Sequence, residues 1–129
     1  MGMAERPTIL SGKTYKLRTG CGNLYITVNR GGAGLSEMPN PLCGPILEVF
    51  ATIGKTGGCT ASFLQALTRM ISLALRANVK VEKVIKMLEG IGCPQPFYGN
   101  PDLIQHQFLS CSDAVAKVLK LEEADGGGE

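Results

Sequence analysis

One stretch, GKTGGCTASFLQALTRMISLALRA from Gly54 to Ala77, constrains this chain more than any other. Leu64, Leu67, Thr68, Ile71, Ala74 and Leu75 recur in it at helical spacing, which predicts a long helix burying one stripe. Thr60 stands where an N-cap belongs, its hydroxyl able to accept from an exposed first-turn N–H. Just before it comes Cys59, in a loop with Gly54, Gly57 and Gly58. A thiol there faces the positive end of the helix dipole, which favours thiolate over thiol. The longest core element is thus expected to begin at a cysteine placed to bind or react. A small buried thiol in a tight turn is the competing reading.

The remaining segments supply what such a helix can pack against. KTYKLRT alternates Tyr15 and Leu17 with polar neighbours, and NLYITVNR puts Leu24, Ile26 and Val28 on one face and Tyr25 and Thr27 on the other. With Thr19-Gly20-Cys21-Gly22 between them, they read as a hairpin with Cys21 at its tip. A Gly/Pro-rich loop follows from Gly31 to Pro45, carrying Cys43, and then a third strand, ILEVFATIG. After the central helix, broken at Asn78 or Val79, Val81, Val84, Ile85 and Leu88 define a shorter helix ended by Gly90. The segment from Ile91 to Cys111 is irregular and holds Cys93 before Pro94. Ser112 is placed to cap a last helix that turns Ala114, Val115, Val118 and Leu119 inward, with Asp113 in its first turn. The expected fold is α+β, a small antiparallel sheet of about three strands on a central helix and two shorter ones. Residues 1–12 read as a flexible arm, 13–121 as one domain and 122–129 as a disordered tail.

Bulk properties exclude several function classes. With 129 residues and 44% hydrophobic content, the chain can build a core without disulfides. No apolar run approaches the ~18 residues of a membrane helix. MGMAERPTIL lacks a signal-peptide core, and Arg6 stands where a myristoylation motif requires Ser or Thr, so a cytoplasmic location is expected. A net charge of +2 is too small to argue for nucleic acid, and Lys80, Lys83 and Lys86 read first as a solvated helix face. GKTGGCT looks like a phosphate loop, but Val49 occupies the position where a Walker loop needs its first glycine. His106, the one histidine, lies in a polar QHQ run and reads as a surface residue. No acid–base pair or nucleophile–base spacing is visible, so no catalytic residue is assigned and the chain is not expected to catalyse anything alone.

The five cysteines are the better clue. Their scatter, without a Cys-x-x-Cys, counts against a thioredoxin-like site and an ordinary zinc ribbon. An odd number without an export signal argues against a disulfide framework. Yet Cys21, Cys59, Cys93 and Cys111 all fall in loops or just before helices, where backbone amides can stabilise thiolate charge. Four such positions match a tetrahedral thiolate site for zinc, provided four separate loops converge.

TGCGNLYITVN, EVFATIGKTGGCTASFLQALTRMISLALR, VIKMLEGIGCP and LSCSDAVAKVL together resemble the TSCPD domain, over roughly Lys13 to Leu119 and in consistent order. That family occurs as a C-terminal module of adenosylcobalamin-dependent ribonucleotide reductases and as small free-standing proteins. The resemblance implies that its cysteines fall on Cys21, Cys59, Cys93 and Cys111, and leaves Cys43 outside the pattern. The naming motif here reads Leu109-Ser110-Cys111-Ser112-Asp113, with serine in place of proline. No reductase barrel is present, so no cobalamin or nucleotide site is carried over; cobalamin enters only through a partner.

The resulting expectation is a metal-binding module with structural zinc on four cysteines. It would be an accessory to, or relative of, a cobalamin-dependent ribonucleotide reductase in deoxyribonucleotide synthesis. Two alternatives stand beside it: a thiol or iron–sulfur redox relay to a reductase, and a nucleic-acid-binding module using Lys80, Lys83, Lys86, Arg69 and Arg76, though no aromatic platform accompanies those charges.

Overall fold

In the computed structural model, period-two alternation becomes three strands, β1 (Ser11–Thr19), β2 (Gly22–Arg30) and β3 (Ile46–Ile53). They form one antiparallel sheet in the order β1-β2-β3. The structure describes residues 9–20, 22–31, 45–53, 58–94, 96 and 108–123. The registers Leu17↔Leu24 and Leu24↔Ile53, then Ile26↔Ala51 and Val28↔Val49, put all these apolar side chains on one face. That face is buried, and Lys16, Tyr25 and Phe50 point the other way into solvent. β1 starts at Ser11, earlier than the expected Lys13, so Ser11 and Gly12 belong to the sheet rather than to an arm. Gly12 is required there, because a β-carbon would run into the Asn29 side chain and the Val28 carbonyl.

Three helices complete the α+β fold: α1 (Gly58–Arg76), α2 (Val81–Leu88) and α3 (Cys111–Glu122). α1 packs along β3, while α3 contacts β1, β2 and α2. On α1, Leu64, Thr68, Ile71 and Leu75 are buried at helical spacing, as the sequence stripe requires. Ser72 extends that stripe to the sheet edge. Its Oγ accepts from the Val49 N–H at 3.0 Å and donates to the Val49 carbonyl at 3.1 Å. β3 is an edge strand, so this one side chain occupies backbone groups turned away from β2. α1 stops at Arg76, where Asn78 takes a left-handed φ of 71°. α2 ends the same way at Gly90, φ 86°, a conformation glycine adopts without a side-chain clash.

α3 buries Ala114, Val115, Val118 and Leu119 completely. It also runs on through Glu122, a residue assigned to the tail from sequence. The Glu122 carboxylate is sealed from solvent beside Arg30 at the end of β2, with Nη2 to Oε1 at 2.8 Å. Lys13 reaches the other oxygen at 3.3 Å, and the Tyr15 hydroxyl donates to it too. An alternation rule places Arg30 on the buried face, and pairing with Glu122 offsets the cost of burying its charge there. The loop with Cys43 lies outside the described residues, but its base is closed by the Gly31 N–H donating to the Pro45 carbonyl at 3.1 Å.

Candidate metal centre

Helix α3 begins two residues earlier than the sequence expectation, and this sets the cysteine geometry. Its N-cap is Ser110, not Ser112: Ser110 is extended, and its Oγ accepts from the Asp113 N–H at 3.1 Å. The same hydroxyl donates to the Ile91 carbonyl at 2.6 Å, joining α3 to the loop after α2. Cys111 is therefore the first helical residue rather than the residue before a cap. Likewise α1 begins at Gly58, so Cys59 and Thr60 both sit in its first turn and Thr60 is not the cap. Proline could stand at position 112 without loss, because a first-turn N–H has no intrahelical partner. That explains why serine there leaves the helix start unchanged.

Asp113 ties the same region together. Its Oδ1 accepts from the Gly90 N–H at 2.9 Å, and its Oδ2 from the Leu109 N–H at 3.0 Å and from Lys117 Nζ at 2.9 Å. Burial pushes its carboxyl up, but the two backbone donors and Lys117 together outweigh this and hold it below the usual carboxylate range. Lys117 also lies over the Phe108 ring, 5.7 Å from its centroid. The Cys93 N–H donates to the Leu109 carbonyl at 3.0 Å, which pins the Cys93 loop alongside the start of α3. The signal for Ser110 and Asp113 was in the sequence: Ser-x-x-Asp has the spacing of a capping box. Here the acid reaches past its own cap to two neighbouring segments.

The result is a cavity of about 260 Å³ lined by both Cys93 and Cys111. Its opposite wall is the first half of α1, including Thr60 and Phe63. Cys111 Sγ also lies 3.9 Å from Thr19 Oγ1. Thr19 already gives its hydrogen to the Gly22 carbonyl at 2.8 Å, bracing the hairpin turn that contains Cys21. Two of the expected ligands are thus brought together, Cys93 and Cys111. Cys59 is exposed and does not line the cavity, although its neighbour Thr60 does. Cys21, like Cys43 and His106, lies outside the described residues. Among the described residues no three Cys, His, Asp or Glu side chains are grouped closely enough to hold a metal ion. Cys59, Cys93 and Cys111 are thiols, not halves of a disulfide. Two soft donors on one cavity wall, with a third cysteine one residue from the facing wall, fit a thiolate metal in donor chemistry.

A family model described as the TSCPD domain matches residues 2–123. The chain belongs to the TSCPD domain family. No curated protein and no solved structure matches it. The family match covers nearly the whole chain, so all six elements, and Cys21, Cys43, Cys59, Cys93 and Cys111, lie within the matched residues. No helix among the described residues is long and apolar enough to cross a membrane.

The residues of the nucleic-acid alternative fall elsewhere in this TSCPD domain. Lys80 precedes α2, Lys83 and Lys86 lie on it, and Arg69 is exposed on α1. Arg76 turns inward, 3.9 Å from the buried Glu48 carboxylate, which also accepts from Asn29 at 2.7 Å. No aromatic ring lines the groove beside Lys83 and Lys86.

Proposed function

We propose that this TSCPD domain is a metal-stapled interaction module, with Cys21, Cys59, Cys93 and Cys111 as the ligands of one structural zinc. It acts beside a ribonucleotide reductase, as an accessory to or relative of the adenosylcobalamin-dependent enzymes, in deoxyribonucleotide synthesis. The observation that carries the metal reading is the shared cavity of Cys93 and Cys111, with Thr19 of the Cys21 turn touching Cys111 Sγ and Thr60 of the Cys59 turn on the facing wall. The reductase link is supported by where TSCPD domains occur. A bound zinc would supply folding free energy, of order 10–16 kcal/mol for small structural sites, rather than reactivity. The protein's own part is to hold the loops in place through Ser110, Asp113 and Thr19.

The test is metal analysis of purified protein with single cysteine-to-serine variants. Wild type is expected to be colourless and to carry about one zinc per chain. Serine at 21, 59, 93 or 111 should each lower metal content and melting temperature, whereas Cys43→Ser should leave both unchanged. A brown, iron-containing sample would replace zinc with a cluster. Five silent substitutions would remove the metal site altogether. Rapid alkylation of two of the four thiols in metal-loaded protein would favour the redox relay.

A further inference from the structure

An opening larger than the cysteine cavity lies away from the cysteines. It is a groove of about 460 Å³ between α1 and α2, whose exposed lining is almost entirely apolar. Leu67, Ile71 and Ala74 form one wall at helical spacing, and Val84 and Met87 the other. This accounts for Leu67 and Ala74, which lie on the core stripe in sequence and yet are only half-buried. Met70 and Met87 flank the groove with 63% and 74% of their surface in water. Unbranched, polarisable side chains in that position can repack around a docked surface. Lys83 and Lys86 also line it, and no acidic side chain does.

We propose that this groove docks an amphipathic helix of a partner protein whose apolar stripe is flanked by carboxylates. A wall with residues at i, i+4 and i+7, faced by a second helix, accepts a third helix laid between them, as in helix-in-groove recognition. From Leu67 to Ala74 the wall runs about 10 Å, two helical turns, so such a partner offers three or four anchors. Charge selects the occupant. A lysine-lined groove attracts carboxylates, whereas pairing two copies of this face would set Lys83 and Lys86 against their own kind. The absence of aromatic lining gives single-stranded nucleic acid nothing to stack on. The groove belongs to α1 and α2 and stands whether or not the cysteines hold a metal.

The test uses the full chain and two fluorescein-labelled designed peptides of about 15 residues. Both carry leucine at i, i+3, i+4 and i+7; one has glutamate flanks and its twin lysine flanks. Fluorescence anisotropy should show the glutamate peptide binding at least about tenfold more tightly. Lys83→Glu/Lys86→Glu should reverse that preference, and Met87→Glu should weaken both peptides. All three positions are exposed, so circular dichroism should show the fold retained. Equal binding of both peptides, or none of either, would overturn the proposal. So would a concentration-dependent dimer in sedimentation that Met70→Glu abolishes, or labelled oligothymidine displacing the glutamate peptide.

Discussion

Asp113 is almost sealed from water, yet its two oxygens take a backbone N–H each and Oδ2 takes Lys117 as well. No neutral isostere reproduces this, because an asparagine amide must turn its NH₂ toward one of the two N–H donors. Asp113→Asn is expected to cost about 1–3 kcal/mol at neutral pH, read by urea denaturation. The pH dependence has a defined sign. The folded carboxyl is held below its ordinary value of 3.8, so its stabilisation is complete above that value and disappears as pH falls through the folded one. The asparagine variant should therefore show a shallower acid limb than wild type. If the two limbs coincided, the carboxylate would contribute nothing through its charge.

At the scale of elements, helix starts decide where the thiols lie. Ser110 and Ser112 are two residues apart, and either satisfies a general preference for serine near a helix start. Only Ser110 is used, accepting from Asp113 and donating to Ile91. Ser110→Ala is expected to cost about 1–2 kcal/mol and to loosen the Cys93 loop. Ser112→Ala should stay within about 0.5 kcal/mol of wild type. Melting temperatures of the two variants, with hydrogen exchange at Cys93 N–H, check this directly. Equal losses would mean that residue 112 also caps α3.

Across the whole molecule, the pair Arg30–Glu122 ties the last turn of α3 to the far end of β2. Arg30 Nε and Nη2 reach Glu122 Oε1 at 3.2 and 2.8 Å, and Nη2 also reaches the Glu122 carbonyl at 2.7 Å. Burial pushes the Glu122 carboxyl up, but Tyr15, Arg30 and Lys13 more than offset this and hold it below 4.5. Its stabilisation is accordingly present above the ordinary glutamate range and is lost as pH drops through the folded value. Arg30→Met leaves a buried carboxylate without its main partner and is expected to cost about 3–5 kcal/mol. Adding Glu122→Leu should recover most of that loss and flatten the acid limb. A double variant no more stable than Arg30→Met would show that lost packing, not the stranded charge, sets the cost.

The elements themselves were legible in the chain because their signals are local. Leu24, Ile26 and Val28 share a strand face by geometry alone, and Leu64, Thr68, Ile71 and Leu75 share a helix face, whatever surrounds them. Asn78 and Gly90 end α1 and α2 for equally local reasons. The family pattern likewise marked the cysteines in sequence. Other features were decided only by tertiary structure. Leu67 and Ala74 continue the α1 stripe but stay half-open, because a groove lies between α1 and α2 at these positions. Glu122 looked like the start of an acidic tail until Arg30, 92 positions away in the chain, was folded against it. Cys93 and Cys111 line one cavity because Ser110 and Asp113 bond to Ile91 and Gly90, just after α2. Periodicity records which way a side chain faces. The partner of a buried polar group or a thiol depends on which distant loops the packed core brings beside it.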